Sequence, residues 1–502
     1  MDYLLGIDAG TTAFKAVLFD IYGEEIAVAT YEYNLEYPFH EGVELDPEKY
    51  WEAFKSVIRI IFSKYKGNTK EIKALAIASQ AETLISVDPR GKPLRKAIVW
   101  LDNRAGSEAE QIKSAFGRDI VFKISGQPDI VPTWPAAKIL WMRKNEPELF
   151  NKVSRFLLLE DYLVFRLTNK YVSEGSLLSS TLMFDINTGQ WWQDMLKFIG
   201  ISAGQLPEIT KSGQIISEIT DKAANETGLC KTTIVVSGAF DHAASAIGSG
   251  NTGFKFMTES TGSTLAICAN VPEPVYDPMR IIPCHYHAIP DAYFLLPWCQ
   301  TAGMVYKWFR DEFYNEIKSG VKSNPEALYK LMDDSAAAIS PGSDGLLLLP
   351  HLAGAFTPES NPNARGVFFG ISLQTGKAHF TRAILEAIAF MLRRNISLLE
   401  GMGHEVNEIR SNGGGSKSDL WNQIKADVCQ KPVVTVKVTE TASLGAAMLA
   451  GYALNFFSNL DEASEKMIRL NKRYIPEKLN DAVYSKAYDR YINLYNLLEP
   501  MF

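Results

Sequence analysis

An α/β fold divided between two domains is what this sequence predicts, and three observations predict it: the length, the alternation of strand-like with helix-like segments, and a Thr/Gly turn that occurs twice. At 502 residues the chain exceeds what one hydrophobic core usually organises. Two domains of about 250 residues are therefore expected, with room for a cleft between them. The second Thr/Gly turn follows the middle of the chain, which puts the boundary near residue 245 and gives domains 1–245 and 246–502.

The opening segment reads as a hairpin. Residues 3–9 form a strand, Gly10, Thr11 and Thr12 a polar turn, and residues 14–20 a returning strand. Asp46-Pro47-Glu48 is a helix-start signal, after which Trp51, Phe54, Ile58, Ile61, Phe62 and Tyr65 fall on one helical face. Strands are expected at 72–78 and 84–87, the latter ending at Pro89-Arg90-Gly91. Around 232–238 an apolar strand runs into Ala239, Phe240 and Asp241, and 243–247 suits a tightly packed helix start. The opening device then returns: Phe256 and Met257 lead into Glu259-Ser260-Thr261-Gly262-Ser263-Thr264, followed by an apolar strand at 265–268. Further on, a strand at 408–411 meets Asn412-Gly413-Gly414-Gly415-Ser416. A helix from about Asp419, a strand at 433–438 and a small-residue helix at 440–451 complete the pattern.

Composition narrows the function classes. Hydrophobic content of 46% with 22% charged residues is the balance of a globular protein, not of a disordered or fibrous one. A net charge of −7 and the lack of long Lys/Arg runs argue against nucleic acid as a partner. Five scattered cysteines, none in a C-x-x-C pair, suggest neither a disulfide framework nor a zinc site, and fit buried thiols in a reducing compartment. No stretch of eighteen apolar residues occurs and the N-terminus does not read as an export signal, so a cytoplasmic location without membrane insertion is expected.

Several residues could carry chemistry. In Asp8-Ala9-Gly10-Thr11-Thr12, small residues let backbone amides approach an anion, the hydroxyls add donors, and Lys15 follows. Such a turn can cradle phosphate, or be a plain hairpin turn. Asp8 would repel phosphate without a divalent cation between them, which predicts Mg²⁺. Ser260, Thr261 and Gly262 offer the same chemistry from the second half, and as a pair the turns could clamp a polyphosphate. Gly413–Ser416 lets backbone approach a flat ligand, although it equally serves as a tight strand-to-helix turn. No G-x-x-x-x-G-K-[ST] sequence is present, which disfavours a P-loop kinase. Asp241, between strand and helix, could accept a hydroxyl proton in phosphoryl transfer or could cap its helix.

Taken in order, these segments resemble the FGGY family of carbohydrate kinases over nearly the whole chain. GIDAGTTAFKAVLFD and STGSTLAI are similar to the family's two phosphate hairpins. Residues 133–145 (TWPAAKILWMRKN) and 366–386 (GVFFGISLQTGKAHFTRAILE) are similar to its signature segments, and SNGGGSKSDLWNQIKADVCQKPV with TETASLGAAMLAG resembles the adenosine-binding region.

The resemblance implies two actin-like, ribonuclease H-like domains closing around ATP and sugar, the first bearing most sugar contacts and the second adenosine. It implies that Asp241 is the catalytic base and a metal ligand with Asp8. His242 would face the substrate, with Gln80, Glu82, Trp100, Asp102, Arg104 and Thr133 around the sugar. Gly10, Thr11, Thr12, Lys15, Ser260, Thr261, Gly262, Gly303, Gly414, Gly415 and Ser416 would bind the nucleotide. Gln80 and Glu82, two apart, would share one face if both are strand residues.

Ala81-Glu82 stands where glycerol kinases carry Arg-Glu, and Thr133 where they carry an aromatic hydroxyl, which speaks against glycerol. Gln80-Ala81-Glu82 and Gly354-Ala355-Phe356-Thr357-Pro358 also depart from the xylulokinase pattern. A ketopentose such as xylulose is the first expectation, with fuculose, ribulose, gluconate, glycerol or erythritol as alternatives. An actin- or chaperone-like ATPase is the rival class. A homodimer is the assembly allowed for, since the sequence itself gives no oligomeric state.

Overall fold

The computed structural model describes residues 1–314 and 325–502. These fall into two compact units, neither continuous in sequence. The first comprises Met1–Thr252, Asn270–Leu295 and Glu440–Arg469; the second comprises Gly253–Ala269, Leu296–Thr439 and Leu470–Phe502.

In the first unit, strand Tyr3–Ala9 pairs antiparallel with Ala13–Asp20 on one side and parallel with Ile72–Ser79 on the other. Glu25–Glu32 extends the sheet beyond Ala13–Asp20, and Ile234–Val236 extends it beyond Ile72–Ser79. Strand Ile72–Ser79 is almost wholly buried, as an interior parallel strand covered on both faces must be. One face is covered by helix Pro47–Lys64, which begins where Asp46-Pro47-Glu48 predicts: the Asp46 side chain accepts from the Glu48 amide at 3.0 Å. Its buried Trp51, Phe54, Ile58 and Ile61 join Leu5, Ile7 and Ile77 in one apolar core. A satellite core gathers around helix Pro135–Asn145.

Helix Thr441–Ala453 belongs to this first unit. It packs on strand Tyr3–Ala9 and on helix Asp241–Gly248. Its small residues explain the approach, because a Cβ on Gly445 would lie 1.9 Å from the carbonyl oxygen of Ala244.

The second unit repeats the arrangement. Phe256–Thr261 pairs antiparallel with Leu265–Val271 and parallel with Glu408–Asn412. Val433–Val436 continues parallel to Glu408–Asn412, Leu470–Tyr474 closes that side antiparallel, and Trp298–Cys299 pairs with Leu265–Val271. Helices Lys377–Gly401 and Asp419–Cys429 pack together, most of each being buried. The mixed α/β, two-domain class is borne out.

Candidate active site

Three parallel strands of the first unit end side by side, since Ala9 pairs with Ser79 and Ser79 with Phe240. The residues at and just beyond these ends are Asp8 with Gly10–Thr12, Gln80 with Glu82, and Asp241. Ligands of open α/β sheets gather at such carboxyl ends, because there the chain leaves the sheet and side chains become free to converge.

Asp241 is the first residue of helix Asp241–Gly248 and does not cap it. Its Oδ1 is buried without a hydrogen-bond partner. Burial pushes its carboxyl above the usual range, against the pull of the His242 imidazole and amide. The nearest cationic candidate is weakly placed, His242 Nε2 lying 4.0 Å from Oδ1. Asp8 is pushed up to about 7, first by burial and then by the Asp241 charge. Two carboxylates thus sit close enough to oppose each other's ionisation.

Gln80 is not a strand residue, and neither is Glu82. The strand stops at Ser79, and Glu82 adopts a left-handed φ of 64°. The shared-face expectation therefore fails in its reasoning, because the chain turns before alternation can apply. Gln80 is held differently: its amide donates to the Ala9 carbonyl at 3.1 Å and its Oε1 accepts from Thr11 at 3.2 Å. Trp100 Nε1 donates to the same Thr11 hydroxyl at 2.8 Å, while Gln80 Nε2 is buried without a partner. Glu82 is pushed up to about 7, mainly by burial.

Sequence reasoning missed Lys138, which is fully buried on helix Pro135–Asn145. Its Nζ donates to the carbonyls of Glu82 (2.9 Å) and Val99 (3.0 Å), tying the Gln80–Glu82 loop to the residue before Trp100. Burial pushes its amine down to about 7. A lysine inside the apolar run Pro135–Met142 was the available signal.

Other expected residues already have protein partners. Asp102 and Arg104 pair with each other; Asp102 Oδ2 also accepts from the Val43 amide, and Arg104 reaches Glu44 at 2.8 Å. Lys15 Nζ is 2.6 Å from Glu440. Thr133 sits half-buried in the turn before helix Pro135–Asn145.

In the second unit, a cavity of about 950 Å³ is lined by Thr261, Gly262, Ser263, Gly303, Gly414 and Gly415 among others. The Gly303 amide donates to the Gly262 carbonyl at 3.0 Å, which seats the start of helix Gly303–Phe313 against the hairpin turn. Tyr306 and Tyr329, also in the wall, stack with centroids 5.4 Å apart, and Trp421 lies beside Tyr306. Backbone amides, hydroxyls and aromatic faces are what a nucleotide needs. Ser260 remains within its strand, and the Ser416 hydroxyl turns back to the Gly413 carbonyl at 2.8 Å. Helix Thr441–Ala453, expected with the adenosine-binding region, contributes nothing to this wall. Its small residues are used instead for close packing inside the first unit.

The sequence pattern of the FGGY family of carbohydrate kinases, N-terminal domain, matches residues 3–248, and that of the C-terminal domain matches residues 260–454. This chain belongs to the FGGY family of carbohydrate kinases. It is an ATP-dependent sugar phosphotransferase. The chain is 32% identical to the xylulose kinase of Staphylococcus epidermidis, covering 98% of this chain and 96% of that protein. It is 31% identical to the gluconokinase of Bacillus subtilis, covering 100% and 97%. Its fold is similar to that of ligand-bound xylulose kinase from Lactobacillus acidophilus, with a TM-score of 0.89 at 29% identity over 99% of both chains.

Behind Asp241, this kinase buries three carboxyl groups. Glu160 Oε1 accepts from the Gly238 amide at 2.8 Å. Glu174 accepts from the hydroxyls of Ser176 and Ser212, and Ser176 in turn accepts from the Phe240 amide at 3.0 Å. The strand end that carries Asp241 is thus pinned on both sides. Asp161, whose Oδ2 accepts from the Leu158 amide at 2.7 Å, is pushed up to about 7 by burial.

A carboxyl raised on folding stabilises fully below its unfolded value of about 4, and that contribution is lost as pH rises through about 7. Buried His285 and His287, pushed down to about 3 by burial, act oppositely: their contribution is lost as pH falls below about 6.5. Above that value the carboxyl dominates. Between pH 6 and 8, Asp161→Asn should lose roughly 1 kcal/mol less unfolding free energy than the wild type, read by urea denaturation at each pH. Equal slopes for the two proteins would reject this assignment.

Proposed function

We propose that this kinase transfers the ATP γ-phosphate to a hydroxyl of a ketopentose such as xylulose, with Asp241 as the general base. The observation that carries the reading is the unpartnered Asp241 Oδ1 at the convergence of three strand ends, together with the unpartnered Gln80 Nε2. A buried polar atom left without a partner is costly unless something else binds there, and a sugar hydroxyl suits both atoms. Gln80 would orient the sugar, and Asp241 would take the hydroxyl proton as the bond to phosphorus forms. Lys138 would hold the Gln80–Glu82 loop in place through its two carbonyl contacts.

The charge pattern supports a neutral sugar over gluconate. The Asp241 charge raises both the Asp8 and the Glu82 carboxyl, each already raised by burial, and the nearby Lys138 donates to two carbonyls. A substrate carboxylate would meet like charge there.

Asp8 with Asp241 beside it is the proposed seat of a divalent cation, since burial and the Asp241 charge both raise the Asp8 carboxyl and a cation there would relieve them. Mg²⁺ is the cation proposed, since it keeps several waters and is held by one or two carboxylates together with phosphate oxygens. When bound, Mg²⁺ would supply positive charge to the phosphates. Thr261, Gly262, Ser263, Gly303, Gly414 and Gly415 would hold the nucleotide, while Gly10, Thr11 and Thr12 would offer donors to the transferring phosphoryl group. The first part of the chain would thus serve mainly the sugar and the second mainly the nucleotide.

A cytoplasmic location is proposed on the cysteine pattern, four of the five being buried. Among the described residues no helix is long and apolar enough to cross a membrane. A homodimer is retained as the proposed assembly.

The test is ADP release with Mg·ATP over xylulose, ribulose, fuculose, gluconate, glycerol and erythritol. Xylulose should give the highest kcat/KM. A gluconate optimum would overturn the ketose reading.

A further inference from the structure

We propose that the buried Lys425–Glu259 ion pair is the positioning element of the nucleotide site, fixing the two turns that line the cavity and so setting nucleotide affinity rather than the transfer step. The inference rests on reading that cavity as the nucleotide seat.

Both side chains are fully buried, with Lys425 Nζ 2.6 Å from Glu259 Oε1. Isolated charges in such a place are costly, so a buried pair persists only where its remaining donors and acceptors are also met. Here they are met by the turns themselves. Glu259 Oε2 accepts from the Thr261 hydroxyl at 2.6 Å, and the same hydroxyl accepts from Lys425 at 3.2 Å. Thr261 begins the first cavity turn and is held from both charges at once.

The second turn is tied to the same pair. Ser411, buried at the end of strand Glu408–Asn412, donates to Glu259 Oε1 and lies 3.2 Å from Asn422 Oδ1. Asn422, fully buried on the helix that carries Lys425, donates through Nδ2 to the Ser416 carbonyl at 2.8 Å. The Gly413–Ser416 turn is therefore held from its strand side and its helix side. The two turns also touch: a Cβ on Gly415 would lie 2.8 Å from Cβ of Thr261. Lys425 in addition sits 5.1 Å from the ring of Trp421 in the cavity wall. One charge pair thus reaches the hydroxyl, the glycine turn and the aromatic wall, which are the three kinds of group that a nucleotide would use.

Loss of the pair should loosen these donors relative to one another before it affects the sugar side. Two variants test it. Ser411→Ala removes one tie and keeps both charges. The double variant Glu259→Leu/Lys425→Met removes the charges together, because a single removal would strand a buried ion and unfold the unit. ADP affinity by calorimetry and steady-state KM values are the readouts. Ser411→Ala should weaken ADP binding and raise the ATP KM about fivefold, as expected for one lost hydrogen bond. Its kcat at saturation and its sugar KM should not change. The double variant, if folded by circular dichroism, should bind ADP at least about 30-fold more weakly, beyond the loss of two ordinary hydrogen bonds.

Wild-type ADP affinity in Ser411→Ala, or a parallel shift of kcat and both KM values, would overturn the proposal even if the double variant does not fold. Gly414→Trp separates this from failure of the nucleotide reading. It should fill the cavity and abolish ADP binding, and unchanged binding there would move the nucleotide elsewhere whatever Lys425 does.

Discussion

Asp241→Asn should lower kcat for sugar phosphorylation by about 10²–10⁴-fold, the range that a positioned general base supplies, while leaving ADP affinity unchanged. The amide keeps the shape of the carboxyl and removes its ability to accept the proton. It should also remove a like charge from Asp8, whose carboxyl is held at about 7 by burial and then by Asp241. The variant should consequently melt no lower than the wild type, which distinguishes lost chemistry from lost fold. Coupled ADP release measures the first quantity and a thermal melt the second. Full sugar-dependent turnover in a folded Asp241→Asn protein would remove Asp241 from the mechanism.

Gly445→Val should be nearly as damaging without touching any reacting atom. A Cβ at this position would lie 1.9 Å from the carbonyl oxygen of Ala244, and the obstacle is helix backbone, which cannot rotate aside. Gly248 on the facing helix is equally tight, its Cβ position being 2.0 Å from the Thr441 carbonyl oxygen. The two helices must therefore separate, and helix Asp241–Gly248 carries the proposed base, Asp241, at its first residue. A displacement of about 1 Å at a reacting group can cost on the order of 100-fold in rate, and overpacking of this kind costs on the order of 3 kcal/mol in stability. Both kcat and the melting temperature should fall. Wild-type values for both would mean that the helices are not as closely packed as described.

Much of the site was legible in the sequence because its chemistry is local. The Thr/Gly turns at Gly10–Thr12 and Thr261–Ser263 were visible as polar breaks between apolar strands, and both are hairpin turns between antiparallel strands. Asp241 was visible at a strand-to-helix junction, although base and cap could not be separated there. The structure removes the cap reading, since Asp241 is the first helical residue and makes no capping bond. The strand reading of Gln80 and Glu82 failed because alternation says nothing of where a strand stops: it ends at Ser79, and Glu82 is left-handed.

The Glu160–Glu174 support of Asp241 and the Lys425–Glu259 pair were not legible, and Lys138 was visible only as a lysine in an apolar run, without its partners. Each joins residues far apart in the chain, and a buried charge in the sequence looks the same as a solvated one. What the sequence by itself determined was the set of short-range devices: the turns, the helix start at Asp46–Pro47, the junction at Asp241 and the ordered segments of a carbohydrate kinase. Only the tertiary structure decided which strand ends stand together and which charges are spent on one another. It also placed helix Thr441–Ala453 beside Asp241, not in the second unit's cavity. The physical reason is that periodicity and turn chemistry act over a few residues, whereas burial, parallel pairing and close glycine contacts exist only once distant segments have met.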